Sequence, residues 1–465
     1  MGKKIFTVDY SFALKELNPL KKGISREELA KRLRLMRVKN RELFLERTSG
    51  KVGFYSLPYF GKEARKIKRF AGYLRRRFDR LVVLGIGGSA LGASAALSGL
   101  EDRLRKGAGE VTIVDNIDPD RLHLLFSSMN LRRTVFNVIS KSGGTSETVS
   151  EFLLVADRLK KSIGKDWKDH IIFTTDPEKG MFRELVEREG FSSFPVPPAV
   201  GGRFSVFSPV GLFPLAFGGV DISSLLEGAR FVDGIALGRR GERNPVLLLS
   251  ALYSYFIDGD PKNTFVLFTY SDFMDHFGEW FAQLWGESLG KVRKVGRRRE
   301  PVGQTPVSVK GVTVQHSQLQ LYSDGPDDKV YTFIGPGSFR RKMPVKNIFK
   351  DERVSYLSGK GISDLFMAEM EGTIYSLASE GRPVVLIEPL KRDAFTLGGL
   401  FYLFECITAL TGRALDIDPF NQPGVEHGKK LAKAMLGDSE PGEFLEEVDY
   451  FRKLKGKHRI IVESK

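Results

Sequence analysis

Short apolar, β-prone runs alternate with longer helical patterns along most of this chain, and this alternation constrains the fold more than any other feature. Such a pattern is typical of parallel sheets flanked by helices. In the first half the predicted strands are 81–84, 111–114, 135–139 and 171–174. In the second half they are 265–269, 312–315, 330–334 and 384–387. The sequence therefore predicts an α/β protein with two α-β-α sandwich domains and mainly parallel sheets.

The chain is long enough for several domains, and glycine and charge patterns indicate where they divide. The boundary between the sandwiches is expected within residues 218–242, where glycines and charged residues replace the strand pattern. A buried helix is predicted at 397–410. We expect an N-terminal helical segment, a smaller sandwich, a larger sandwich and a helical C-terminal arm, over residues 1–44, 45–225, 226–412 and 413–465, respectively.

Composition narrows the class of protein and its ligands. The formal net charge of +15 favours anionic ligands without choosing among them. The basic clusters are short and scattered, which is typical of a solvated surface and argues against a nucleic-acid partner. The single cysteine, Cys406, excludes an intrachain disulfide and is expected to be a small core residue. No signal peptide or spanning helix is predicted, so we expect a cytoplasmic protein without a membrane partner.

A glycine-rich segment follows the predicted strand 81–84 and leads into an alanine-rich helix. Glycines there let the backbone approach a ligand, and the helix N-terminus offers unpaired N–H groups to an anion. The same segment also fits a loose dinucleotide fingerprint with an acid at the end of the next predicted strand, formed by Gly85, Gly87, Ala90 and Asp115. A dehydrogenase therefore remains the alternative enzyme class at this point.

A second loop, rich in hydroxyl groups, follows the predicted strand 135–139. Ser140, Ser142 and Thr145 can offer hydroxyls, together with backbone N–H groups, to the oxygens of one phosphate. Helix capping is the structural alternative, but it would need only one such residue. Five serines and threonines stand within residues 140–148, which favours a phosphate site.

Two further segments offer a cation and a carboxylate. Arg203 follows two glycines, and it is either an oxyanion-stabilising group in a partly dry cleft or an ordinary surface arginine. Residues 277–291 are predicted to be helical, which places Gln283 and Glu287 on one face. In this aromatic setting Glu287 can serve as a base near neutral pH, or it can form a salt bridge at the helix end.

The last two segments contain a histidine and a lysine. His316 stands just past the predicted strand 312–315 and is a reasonable proton carrier, although a lone histidine is more often structural. Residues 420–430 include Gln422 and Lys429 and precede a predicted helix.

Taken in this order, the six segments resemble the glucose-6-phosphate isomerase family from residue 81 to residue 430. Two of them look like the diagnostic signatures of that family, namely Val-Gly-Gly-Arg-Phe-Ser at 200–205 and Phe-Asn-Gln-Pro-Gly-Val-Glu-His-Gly-Lys at 420–429. The resemblance implies that the two sandwiches are sugar-isomerase (SIS-like) domains. It also implies a small-molecule sugar phosphate as substrate, no metal or organic cofactor, and a homodimer in which His316 is contributed across the interface.

The resemblance further implies a role for each candidate residue in interconverting glucose 6-phosphate and fructose 6-phosphate. His316, aided by Lys429, would open the sugar ring. Glu287 would then move a proton from C2 to C1 through a cis-enediol or enediolate, whose charge Arg203 would stabilise. The substrate-binding residues would be Gly88, Ser89, Ser140, Lys141, Ser142, Thr145, Gln283 and Gln422.

Two other functions compete with this interpretation. A dehydrogenase explains the glycine-rich turn but leaves the hydroxyl loop and both signatures without a purpose. A non-catalytic sugar-phosphate sensor would make Glu287 dispensable and would carry a helix-turn-helix segment, which we do not find in the sequence.

Overall fold

The computed structural model describes residues 4–101, 104, 107–438 and 442–462. The chain divides into two compact units, Met1–Pro419 and Phe420–Lys465. The strands are β1 (Phe6–Asp9), β2 (Arg80–Leu84), β3 (Glu110–Val114), β4 (Thr134–Ile139), β5 (Ile171–Thr175), β6 (Ser192–Pro195), β7 (Thr264–Thr269), β8 (Lys291–Val295), β9 (Arg298–Val302), β10 (Thr305–Lys310), β11 (Lys329–Ile334) and β12 (Val384–Pro389).

The helices of the first unit are α1 (Arg26–Thr48), α2 (Gly61–Leu74), α3 (Leu91–Gly99), α4 (Pro119–Ser128), α5 (Ser146–Ile163), α6 (Met181–Glu189), α7 (Pro209–Phe217), α8 (Ile222–Gly238), α9 (Pro245–Asp258), α10 (Asp275–Leu289), α11 (Leu319–Asp324), α12 (Ile362–Ser379) and α13 (Ala394–Ala414). The second unit contains α14 (Glu426–Met435) and α15 (Gly442–Leu454), which agrees with the predicted helical arm.

The first unit holds two five-stranded sheets with related topology. The first sheet has the order β3-β2-β4-β5-β6, and all of its strands are parallel. The second has the order β1-β12-β11-β7-β10, in which only β1 is antiparallel. In both, the first parallel strand in the chain is flanked by the second on one side and the third on the other. The chain thus builds the same doubly wound arrangement twice, and the predicted α/β class with mainly parallel sheets is confirmed.

Seven of the eight predicted strands are present, and the eighth is wrong. Residues 313–315 of the predicted strand 312–315 lie in a short 3₁₀ helix, Thr313–His316, and the edge strand beside β7 is the earlier β10. The pattern misled because Val312, Thr313 and Val314 are β-branched, whereas pairing with β7 already ends at Lys310.

The N-terminal segment is also not purely helical. β1 pairs with β12, which lies more than 370 residues away, so no local pattern marks it. The helix that follows, α1, ends at Thr48. α8 occupies most of the stretch 218–242, within which the boundary between the two sandwiches is predicted. The bounds of the four predicted domains stay predictions.

Helix α13 forms the apolar centre of the first unit. It is 21 residues long, with a mean hydropathy of 1.5 over its most apolar window, so by length and composition alone it could cross a bilayer. However, 89% of that window is buried inside the molecule, as in the core helix of a globular protein. The predicted buried helix at 397–410 is therefore confirmed and longer than expected, and Cys406 on it lies in the core as predicted.

Glycines set the distance between α8 and α13. A Cβ atom on Gly228 of α8 would lie 1.7 Å from the carbonyl oxygen of Phe395, and one on Gly398 of α13 would lie 1.9 Å from that of Leu225. Real side chains do not approach so closely, so the two helix backbones touch only because both positions lack a side chain.

We expect Gly228→Ala to destabilise the protein by about 1–3 kcal/mol, because the new methyl group must push the two helices apart. The matched control is Gly234→Ala on the same helix, where a Cβ meets no described atom within 4 Å. That change should be neutral or stabilising by up to about 1 kcal/mol through helix propensity. Urea denaturation compares the two, and equal stabilities would contradict the close crossing.

The pH dependence of stability should report on Glu151 of α5, which is 2% exposed. Burial raises the pKa of its carboxyl to about 8, helped by the negative charges of Asp115 and Glu147. Because the folded state then keeps a proton that the unfolded chain releases, this group weakens folding increasingly as pH rises from about 4.5 to about 8.

We therefore expect Glu151→Gln to match wild type in Tm near pH 4 and to exceed it at pH 8. Thermal unfolding across this range measures the difference. Asp157→Asn, at an exposed position of the same helix, should show no such pH-dependent gain. A constant difference between Glu151→Gln and wild type at all pH values would contradict the assignment.

Candidate active site

The two predicted ligand loops lie at neighbouring strand ends of the first sheet. The glycine-rich loop follows β2, and the hydroxyl loop follows β4, which is hydrogen-bonded to β2. β2 is also the strand at which the order of the sheet reverses, with β3 on its other side. In open α/β sheets, ligands bind at the carboxyl ends of the strands at this reversal point. The fold therefore places both loops where a ligand is expected.

The glycine-rich loop packs directly on the segment that carries Arg203. A Cβ atom on Gly88 would lie 2.3 Å from the carbonyl carbon of Gly202, so a larger residue cannot occupy this position without moving one backbone. The Ser205 hydroxyl donates to the carbonyl oxygens of Gly202 (2.6 Å) and Gly88 (3.2 Å), which ties the two segments together.

A neighbouring glycine, Gly87, has a positive φ of 56° and faces the amide of Gln283. Close contacts within the protein thus explain why glycine stands at both positions, and a bound dinucleotide is not needed to explain them. Gly88 and Ser89 both remain half-buried in this turn.

The hydroxyl loop folds around Ser140, which is 3% exposed. Its Oγ accepts the backbone N–H of Gly143 (3.2 Å) and lies 3.1 Å from Oγ1 of Thr145. Thr145 stands at the N-cap position of α5, yet its side chain does not cap the helix. Ser142 is exposed, and its Oγ accepts the N–H of Gly144 (3.3 Å). Helix capping therefore does not explain these hydroxyls, and the N-terminus of an 18-residue helix stands directly behind them.

Lys141 connects this loop to a neighbouring segment by hydrogen bonds. Its Nζ donates to the carbonyl oxygens of Pro198 (2.5 Å) and Val200 (3.0 Å), just ahead of the Arg203 segment. Burial lowers the pKa of Lys141. The ammonium thus links the hydroxyl loop to residues 198–203 and adds positive charge near the loop.

Arg203 is a buried arginine and not a surface one, since only 2% of it is exposed. Its Nε donates to Oγ of Ser288 (2.7 Å), one terminal nitrogen to the carbonyl oxygen of Pro419 (2.6 Å), and the other to Oε2 of Glu287 (3.3 Å). Burial lowers the pKa of Arg203, and the negative charges of Glu287 and Asp418 oppose this effect. The guanidinium is thereby held in one orientation.

Glu287 lies two residues before the end of α10, and its carboxylate is held from two sides. Nε2 of Gln283 donates to Oε1 (3.1 Å), as expected from their four-residue spacing, and Arg203 contacts Oε2. The side chain is 29% exposed, so it remains reachable from solvent. α10 ends at Leu289, short of the predicted 291, and Nζ of Lys291 donates to the carbonyl oxygen of Glu287 (2.6 Å).

His316 lies outside this cluster of contacts. It ends the 3₁₀ helix Thr313–His316, and it is exposed. The sequence predicts that His316 directly follows a strand, whereas in the structure it ends this 3₁₀ helix. Its expected contribution across a subunit interface stays a prediction.

Gln422 and Lys429 belong to the second unit, where both are exposed. Nζ of Lys429 contacts Oε1 of Glu426 (3.1 Å) at the start of α14. Their expected roles toward the substrate also stay predictions.

Sequence reasoning missed the residues that position the cluster. Ser288 and Pro419 fix the guanidinium of Arg203, although they lie 85 and 216 residues away from it. One signal was present, since Ser288 is a polar residue directly beside Glu287 near the end of α10. Nothing local marks the carbonyl group of Pro419.

Comparison with known proteins identifies the family to which this chain is similar. The family model described as phosphoglucose isomerase matches residues 62–451. A glucose-6-phosphate isomerase from Carboxydothermus hydrogenoformans is 40% identical over 435 residues, covering 90% of this chain and 91% of the relative.

Two solved structures have the same fold. A hypothetical protein from Thermus thermophilus superposes with a TM-score of 0.85 at 33% identity, covering 93% of this chain and 100% of that one. A glucose-6-phosphate isomerase from Chlamydia trachomatis superposes with a TM-score of 0.80 at 22% identity, covering 97% and 92%, and supports the fold alone. The family match, the identity over nine-tenths of the chain and the shared fold together show that this chain belongs to the phosphoglucose isomerase family.

Proposed function

We propose that this protein interconverts glucose 6-phosphate and fructose 6-phosphate. The observation that carries the proposal is the contact between the buried Arg203 guanidinium and the partly exposed Glu287 carboxylate, beside the loops at the reversal point of the first sheet. A base next to a fixed positive charge suits proton abstraction from a carbon beside a carbonyl group, because the resulting oxyanion needs stabilisation. Relatives named for this activity support the choice of substrate.

The hydroxyl loop is the proposed phosphate site. Ser140, Ser142 and Thr145 offer hydroxyls at the N-terminus of α5, where the helix dipole favours an anion. Lys141 adds a positive charge, and Gly88 and Ser89 are proposed to line the sugar. Binding energy from the phosphate, which does not itself react, then positions the reacting carbons.

Ring opening is the proposed first chemical step. The C1–O5 bond of the pyranose breaks, a carbonyl group forms at C1, and one proton moves from the O1 hydroxyl to O5. His316, contributed by a second copy in a homodimer and aided by Lys429, is proposed to carry this proton. Gln422 is proposed to orient the substrate.

Isomerisation of the open chain follows. Glu287 takes the proton from C2, and electrons shift to O1 to give a cis-enediolate whose charge Arg203 stabilises. One proton then moves from O2 to O1 of the enediolate, and the same carboxyl returns its proton to C1 as the C2 carbonyl group forms, while Gln283 orients Glu287 and the substrate. C1 is reduced and C2 is oxidised within one molecule, so the reaction requires no external oxidant or reductant. A cytoplasmic location stays a prediction.

Removing the base tests the assignment directly. We expect Glu287→Gln to lower kcat for fructose 6-phosphate about 10²–10⁴-fold, because the amide cannot accept the proton that moves from C1 to C2 in this direction. A coupled assay of glucose 6-phosphate formation gives the rate. Glu279→Gln, at an exposed position of the same helix, is the matched control and should retain full activity. If wild type binds the sugar phosphate but shows no turnover, the protein is a sensor and the proposal fails.

Altering the hydroxyl loop tests the phosphate site. We expect Thr145→Val to raise KM for fructose 6-phosphate about tenfold or more, because one hydrogen bond to a charged group is lost. The control is Ser150→Ala, whose hydroxyl donates to the backbone carbonyl of Ser146 within α5. Steady-state kinetics separates KM from kcat, and an unchanged KM in Thr145→Val would place the phosphate elsewhere.

A further inference from the structure

The turn that carries His316 has one face directed outward and one face directed inward. A 3₁₀ helix has three residues per turn, so Thr313 and His316 share a face. Both are exposed, whereas Val314 is 3% exposed and Gln315 is half-buried. The contacts of the inward face therefore determine how firmly the turn that carries His316 is held in place.

Gln315 makes the polar contacts of that inward face. Its Nε2 donates to the backbone carbonyl of Glu369 on α12 (2.8 Å) and to the hydroxyl of Tyr270, just past β7 (3.0 Å). It also contacts the hydroxyl of Thr373 on α12. One amide group thus joins the turn to a helix and to the end of β7 in the second sheet.

The start of the turn is fixed at the same place. A Cβ atom on Gly311 would lie 2.3 Å from Cζ of Tyr270, so the backbone there lies flat against the ring. The Tyr270 hydroxyl also contacts Oγ1 of Thr373 (3.3 Å), and that hydroxyl in turn donates to the carbonyl of Glu369 (2.8 Å). Gln315 therefore completes a closed polar network and does not rest on a single bond.

We propose that Gln315 is a positioning residue for ring opening. Its amide anchors the turn that carries His316, and it does so by bonding to α12 and to Tyr270. The inference deepens the proposed function and rests on it. Gln315 does not touch the substrate, and it acts through the orientation of the neighbouring imidazole. The nearby Gln320 is a natural contrast, because its amide contacts Asp324 within the short helix α11.

Ring opening can be measured apart from isomerisation. When the ring opens and closes again, the configuration at C1 is exchanged between the α and β anomers of glucose 6-phosphate. This exchange needs the proton transfer assigned to His316 but not the C2 proton transfer assigned to Glu287. Exchange catalysed by the Glu287→Gln protein, above the spontaneous rate, therefore reports on the His316 turn alone.

The experiment compares anomer exchange, followed by NMR, in full-length Glu287→Gln and in Glu287→Gln with Gln315→Leu added. We expect the added change to lower catalysed exchange about tenfold or more, since small misplacements of a catalytic group are costly. Gln320→Leu in the same background should leave exchange unchanged. Thr373→Val, which removes a hydroxyl from the network at nearly constant volume, should lower exchange and provides a second test if Gln315→Leu fails to fold.

The outcomes distinguish a failure of the ring-opening role of His316 from a failure of the positioning role of Gln315. If Glu287→Gln catalyses no exchange and His316→Asn retains normal isomerisation, the proposed ring-opening role of His316 fails. If Glu287→Gln catalyses exchange and neither Gln315→Leu nor Thr373→Val lowers it, the positioning role fails while the proposed function stands. If Gln315→Leu and Gln320→Leu lower exchange equally, the loss is due to a general disturbance of the structure and not to the contacts of Gln315. The inference is then overturned.

Discussion

The buried guanidinium of Arg203 is the interaction on which the arrangement of the site depends. A permanent charge that is only 2% exposed is costly unless its donors are satisfied, and here Ser288, Glu287 and the carbonyl oxygen of Pro419 accept from it. These partners come from the end of α10 and from the end of the first unit. The segment that carries Arg203 is itself locked against the glycine-rich loop at Gly88. Stretches of chain far apart in sequence must therefore meet before this charge is satisfied.

The strand order of the two sheets explains why the loops of the candidate site follow neighbouring strands. Each sheet places its first parallel strand between the second and the third, so each has a reversal point. In the first sheet the glycine-rich and hydroxyl loops follow two strands at that point. In the second sheet α10, with Glu287, comes after the reversal-point strand β7, and the His316 turn comes after its neighbour β10. The shared strand order gives the two halves of the first unit a common architecture.

A rigid frame supports these loops. The Asp233 carboxylate, 1% exposed on α8, accepts two hydrogen bonds from Arg47 of α1 (2.7 and 2.8 Å) and one from Tyr402 of α13 (2.7 Å). Together with the glycine crossing of α8 and α13, this bidentate pair fixes three helices against one another. A site that relies on contacts of about 3 Å needs such a frame, since loops alone do not hold catalytic groups precisely enough.

The sequence by itself determined the elements whose cause is local. Apolar runs of strand length gave seven of the eight predicted strands. The four-residue spacing of Gln283 and Glu287 gave a contact that the structure contains, and the density of hydroxyls between 140 and 148 marked a loop that helix capping does not explain. Only the tertiary structure decided the features whose cause is distant. The β-branched run 312–314 did not become a strand because pairing with β7 ends at Lys310, and β1 is a strand because β12 offers it an edge. Arg203 could be read as a surface or a functional residue until its partners, 85 and 216 residues away, were in place. Periodicity and spacing record how a residue relates to its neighbours in the chain, whereas burial and charge pairing depend on contacts that exist only once the chain has folded.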